Sequence, residues 1–199
     1  HIVPAFRKDV ETAGAKIADL ERFAPSTDGL EEPVKSVVAS NPDAVLIAQG
    51  GTLLRALAPT LVADGLDHDK VKLLGTGVWD EASVAREPML EGGWFAAPEP
   101  DADAAFIAKY KNTFASSPPQ LAALAYDAVS LVALLSAGKP YERFTDTALT
   151  DPNGFTGADG IFRFSADGTA ERGLAVLAVT PGGFSIVSPA PKTFQPSGS

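Results

Sequence analysis

Cysteine is absent from this 199-residue sequence, and histidine (two), tryptophan (two) and methionine (one) are scarce. The first absence removes disulfides, thiolate metal ligands and cysteine nucleophiles, and is compatible with an oxidising compartment. His1 and His68 do not form the spacing of a metal site, and His68, inside Asp67-His68-Asp69, reads as a solvated loop residue. Long apolar runs are missing: the longest, such as Leu121–Ala125, fall far short of the roughly 20 residues that span a bilayer, which argues against membrane insertion. Positive charge is in the minority. Sixteen basic against 25 acidic residues give a net charge of −9, which repels phosphate backbones and anionic membrane surfaces and disfavours nucleic acid as a partner.

The motifs of common enzymes are missing too. There is no G-x-S-x-G elbow, P-loop or H-E-x-x-H, so the reading is of a protein that is not an enzyme and needs no cofactor. The acidic pairs Asp101/Asp103 and Glu31/Glu32 stand at helix starts, where they favour the helix dipole.

What is present is enough apolar residue, 45%, to build a real core. Periodicity predicts helices over Pro4–Thr12 and Leu30–Ser40 and a strand over Ala15–Phe23, with Ile17, Leu20 and Phe23 as its apolar side. A buried strand over Asp43–Ala48, a helix over Thr52–Ala63 and a strand over Val71–Gly75 follow. This alternation is the pattern of a parallel α/β sheet. Beyond it come a short helix over Asp80–Arg86, a strand-like Trp94–Ala97, and a stiff Pro98-Glu99-Pro100 suited to crossing between lobes. Two helices, Ala104–Phe114 and Leu121–Leu135, are split at Ser116–Pro119. The glycine-rich Gly154–Gly160 leads to a strand over Ile161–Phe164 and a tight turn at Asp167-Gly168. Leu174–Val179 and Phe184–Val187 read as a hairpin around Pro181-Gly182-Gly183, followed after Pro191 by a loose tail rich in proline and serine.

Two turns stand out. Gln49-Gly50-Gly51-Thr52 follows a strand and opens a helix. As a dinucleotide fingerprint it lacks the later glycines of G-x-G-x-x-G. It remains open as a structural turn with Thr52 as helix cap, or as a ligand-facing turn at the carboxyl end of a parallel strand. Thr76-Gly77-Val78-Trp79-Asp80 also follows a strand, and if the two strands are parallel neighbours both turns line one rim. Trp79 reads equally as a pocket wall or a core residue, and Asp80 as a cation partner or a helix cap.

Five segments occur in a telling order: Leu73–Trp79, Gly92–Pro98, Ala125–Val129, Gly154–Gly157 with Gly160 and Phe162–Phe164, and Asp167-Gly168. Together, over about Ala15–Val187, they resemble the type I periplasmic binding proteins, in the branch of leucine/isoleucine/valine-binding receptors of ABC transporters. The resemblance implies two α/β lobes joined by three crossover strands that close on a solute like a hinge. It implies that this chain is the C-terminal part: 1–97 the second lobe, 98–172 helices and crossover segment of the first lobe, 173–199 a hinge-proximal hairpin and tail. The fold class is then a parallel-sheet three-layer α/β lobe, incomplete at the N-terminus. His1-Ile2-Val3-Pro4 has no signal-peptide character, so the chain reads as mature or as starting partway into a larger protein.

By the same resemblance the ligand, an amino acid or similar small polar molecule, contacts Gln49, Gly50, Gly51, Thr52, Thr76, Trp79 and Asp80. Backbone and hydroxyl of Gly50–Thr52 donate, Trp79 packs on the apolar part, and Asp80 holds a cation. Family members often place an acid directly after the Gly-Thr pair, whereas Gly77 stands here, leaving that role to Asp80 or Glu81. The implied partners are the solute and a membrane permease of an ABC transporter, in the periplasm. A relative in the same fold activates penicillin-binding proteins through protein contacts, which is the alternative implied role.

Overall fold

The computed structural model describes residues 2–119 and 121–194; His1 and the end of the predicted tail, 195–199, lie outside it. The chain forms two compact units. The first comprises 1–96 with 177–185, the second 97–176 with 186–199, so the chain passes between them three times.

The first unit is a sheet covered by helices. Helix α1 (Ile2–Thr12) precedes α2 (Glu31–Ala39), and then β1 (Ala44–Ile47), α3 (Gly51–Ala63), β2 (Lys72–Gly75) and β3 (Trp94–Ala97) alternate. β1 pairs parallel with β2, Ala44 opposite Lys72 through Ile47 opposite Gly75, and β2 pairs parallel with β3. Strands β7 (Ala175–Thr180) and β8 (Gly183–Ser188) complete the order β1-β2-β3-β7-β8. The strand predicted as buried, Ala44-Val45-Leu46-Ile47, lies at the sheet edge, so only Ile47 is fully buried, Val45 and Leu46 are half-buried and Ala44 is exposed. Leu54, Leu57, Ala58 and Leu61 are the buried stripe of α3, at the three- and four-residue spacing of a helix face, and join Ile47, Leu73, Leu90, Phe95, Leu177 and Val179 in the core. A fully buried side chain of this size contributes about 1.5–3 kcal/mol.

Two predicted elements are corrected. Ala15–Phe23 is not a strand and takes no regular secondary structure. Its apolar residues Ile17, Leu20 and Phe23 are spaced by three, whereas a strand face repeats every two, so no register puts all three on one side. The segment is tied to α2 instead, where Ser36 Oγ donates to Asp19 Oδ2 at 2.9 Å. The single helix predicted over Asp80–Arg86 is replaced by 3-10 turns at Gly77–Trp79, Val84–Arg86 and Pro88–Leu90, because Trp79 is drawn inward and Pro88 has no N–H to continue a helix.

The second unit holds α4 (Ala104–Phe114), α5 (Ala122–Ser136), a four-residue helix α6 (Asp146–Leu149) and a three-stranded antiparallel sheet, β4 (Phe155–Gly157), β5 (Gly160–Phe164) and β6 (Ala170–Arg172). Asp127 joins α5 to that sheet. It is 3% exposed, the Ala158 N–H donates to its Oδ1 at 2.6 Å, and the Arg172 guanidinium lies 3.8 Å from its Oδ2. A Cβ on Gly157 would overlap this carboxylate, so glycine is what lets the hairpin approach α5. The β5–β6 turn is fastened by Asp167, whose Oδ1 accepts from the Thr169 N–H (2.9 Å) and hydroxyl (2.6 Å).

Asp127→Ala leaves the Arg172 charge without its partner, and is expected to lower unfolding free energy by about 2–4 kcal/mol in urea, with Gly157→Ala also destabilising. The Thr169 hydroxyl and amide hold the Asp167 carboxyl below its usual range. Its contribution is therefore complete above that range and lost as pH falls through the lowered folded value. Carbon-detected titration should place Asp167 below the ordinary 3.8, and Thr169→Val should move it back toward that value.

Candidate functional site

The equal register of β1 and β2 brings both strands to the same level at Ile47 and Gly75, and the two turns that follow meet. A Cβ on Gly50 would sit 3.1 Å from the Val78 carbonyl oxygen and 3.3 Å from Val78 Cβ, so the backbones touch where only glycine fits without movement. The Trp79 Nε1–H donates to the Gln49 carbonyl at 3.1 Å and locks one turn to the other. Gln49, Gly50, Gly51, Thr52, Thr76 and Asp80 thus stand on adjoining turns at the carboxyl end of parallel strands.

The cap differs from the prediction. Gly50, not Thr52, is the residue before α3, in extended conformation, and Leu54 N–H bonds to its carbonyl at 3.3 Å. Gly51 begins the helix at φ +59, a left-handed value that favours glycine, and this twist moves Thr52 from the cap into the first turn. No side chain caps α3, and the first amides of a helix, here Gly51, Thr52 and Leu53, lack intrahelical partners. Thr52 is exposed, and its hydroxyl accepts from Arg55 Nη2 at 3.3 Å. The helix end and Arg55 together make this rim attractive to an anion.

Of its two readings, Trp79 takes the core one. It is 0% exposed, and its indole fills the space where Gly75 and Gly93 lack side chains, 6.3 Å by ring centroids from Phe95. A ring with no exposed face supports the turns from behind. Asp80 is exposed and closes the Gly77–Trp79 turn through its N–H to the Gly77 carbonyl, so it is not the cap of a following helix. Glu81, the other candidate acid, accepts from the Ser83 hydroxyl at 3.1 Å. The Thr76 hydroxyl oxygen is buried without a hydrogen-bond partner.

The sequence placed Val78, 46% exposed and abutting Gly50, in a rim turn without giving it a role, and gave none to Arg55. Arg55 was legible three residues after Thr52 on one helix face. The contact of Val78 with Gly50 had no signal, since it depends on strand register. A shallow hollow of about 300 Å³ elsewhere in the first unit, between Ala85–Glu91 and Val179–Gly182, includes none of the predicted residues. It borders the entrance of β3, whereas the two turns lie at the exits of β1 and β2. His68 is half-buried in its turn, beside Asp67, which Lys70 pairs at 2.6 Å.

A family model described as periplasmic binding protein matches residues 1–183. The chain belongs to this family. No curated protein matches it, but 57 chains of solved structures do. One is a protein assigned to branched-chain amino acid ABC transport in Rhodospirillum rubrum, with 22% identity and TM-score 0.76 over 92% of this chain and 56% of that one. A leucine binding protein from Thermotoga maritima shares 20% identity at TM-score 0.66, covering 92% and 54%. A solute binding protein of an ABC transporter from R. palustris, solved with benzoate, shares 18% at 0.65, covering 94% and 55%. This chain therefore spans little more than half the length of these neighbours. At such identities the likeness is one of fold: the α/β lobes of a type I periplasmic binding protein.

Gly75→Ala would drive a methyl into the buried indole, and overpacking of this kind is expected to remove about 1–3 kcal/mol of stability. Trp79→Phe, which keeps an aromatic ring but loses the bond to Gln49, is expected to remove about 1 kcal/mol or more in the same urea titration.

Proposed function

We propose that this chain carries one wall of the ligand cleft of an ABC-transport solute receptor, working in the periplasm without catalysis and delivering its solute to a membrane permease. The carrying observation is the pair of abutting turns, Gln49–Thr52 and Thr76–Asp80, with a helix N-terminus and Arg55 at one and the exposed acid Asp80 at the other. Gly51 and Thr52 amides with Arg55 suit a carboxylate, and Asp80 suits an ammonium. A small zwitterion, an amino acid, has both groups. Thr76, whose buried hydroxyl has no partner, and Trp79 act from behind the wall.

In this reading, 1–97 belong to the second lobe, 98–172 to the first and 173–199 to the hinge-proximal hairpin and tail. Helix α5 supports that division. It is apolar nearly all round, with Asp127 its one charged residue, and leaves Val129 (70%), Val132 (53%) and Leu134 (61%) exposed. A helix apolar on every side is built to be covered. The part of the family chain that this one does not span is the natural cover.

Calorimetric titration of the full-length protein with the common amino acids and with benzoate tests the function. An amino acid is expected to bind, with Thr52→Val and Arg55→Ala each weakening it by about tenfold, the value of one hydrogen bond. Heat from benzoate alone would overturn the zwitterion reading, and no binding by any of these solutes would overturn the receptor reading.

A further inference from the structure

The three passages between units occur at Ala96/Ala97, Val176/Leu177 and Ser185/Ile186, within β3, β7 and β8. In the sheet β7 lies between the other two. Just past the outer passages the chain carries two similar tripeptides, Pro98-Glu99-Pro100 after β3 and Pro189-Ala190-Pro191 after β8. They are bonded to each other inside the second unit: the Ala190 N–H donates to Glu99 Oε1 at 2.8 Å, across 91 residues of sequence.

The flanking prolines make this bond specific. Pro189 and Pro191 have no N–H, so Ala190 is the only backbone donor of its tripeptide. Glu99 and Ala190 each precede a proline, which disfavours helical backbone at both and spares the bond part of its ordering entropy. Both residues are half-buried, which limits competition from water. Residues 191–194 are fastened as well. Pro191 lies against the bare backbone of Gly173, and the Phe194 ring stacks on the Arg163 guanidinium at 4.5 Å and covers Gly154. Arg163 is itself fixed by Glu171 at 2.7 Å and by the Pro152 carbonyl at 3.2 Å.

We propose that Glu99 is a positioning residue that clamps the two outer crossover strands together where they enter the second unit. With β3 and β8 tied there, they cannot bend independently beyond the clamp. Bending between the units is confined to the first-unit side, around 96–97 and 185–186, and the outer strands move as a pair. The inference concerns the motion of the chain itself and holds whatever solute is bound.

Glu99→Ala removes the acceptor, Ala190→Pro removes the donor, and Glu99→Gln keeps a carbonyl oxygen in place. Amide exchange and NMR alignment of the two units in the full chain read the result, with no ligand needed. In the unmodified protein the Ala190 amide is expected to be protected, and Glu99→Ala should speed its exchange by about tenfold. Glu99→Ala and Ala190→Pro should both loosen the coupling between the alignments of the two units, and Glu99→Gln should restore it, with little change in thermal midpoint among the three. An unprotected Ala190 amide in the unmodified protein overturns the proposal. So do unit alignments as tightly coupled in Glu99→Ala and Ala190→Pro as in the parent, or a Glu99→Gln variant that behaves like Glu99→Ala.

Discussion

The parallel pairing of β1 with β2, Ile47 level with Gly75, is the constraint on which the rim depends. Both strands end at one height, so the turns after them must share the space above the sheet. Two glycines make that sharing possible: Gly50 admits the Val78 backbone, and Gly75 admits the Trp79 indole. The indole then returns a hydrogen bond to Gln49. Ladder, close approach and hydrogen bond reinforce one another, and together they hold the α3 N-terminus in a fixed direction. Turns held this way lose little further freedom on binding anything, which is the physical basis of the proposed role of this rim.

The second unit solves a different problem with a different device. Its small antiparallel sheet packs Phe155, Phe162 and Phe164 against one another, and a buried acid holds it to α5. Asp127 satisfies a hairpin amide and faces Arg172, while Arg172 lies over the Phe162 ring at 5.3 Å. The arrangement carries geometric specificity: a charge in an apolar helix face has one place to go, and the hairpin is positioned by it. Apolar α5 surface that the hairpin does not reach stays exposed.

Three strands connect the units, and neighbouring strands in one sheet can flex only together unless their ladder breaks. The proline-flanked tripeptides that follow the outer two strands extend that coupling past the end of the ladder. Short stiff segments thus follow the outer passages on one side, and a regular sheet precedes them on the other.

Much of the architecture was legible in the sequence because period is a local property. The stripe Leu54, Leu57, Leu61, the apolar run Ala44–Ile47 and the turn at Asp167-Gly168 each declare their element within a few residues. Ala15–Phe23 failed for the same local reason, its apolar spacing of three fitting no strand face. Asp127 left a trace, a lone charge in an otherwise uncharged 15-residue helix, but its partners in Ala158 and Arg172 lie 31 and 45 positions away. The order of the elements and the family they belong to were thus set down in the sequence itself. Tertiary structure alone decided that Trp79 turns inward, that Gly50 and not Thr52 precedes the helix, and that Val78 abuts Gly50. These depend on which backbones approach within van der Waals distance once the strands pair, and no local pattern of residues records that distance.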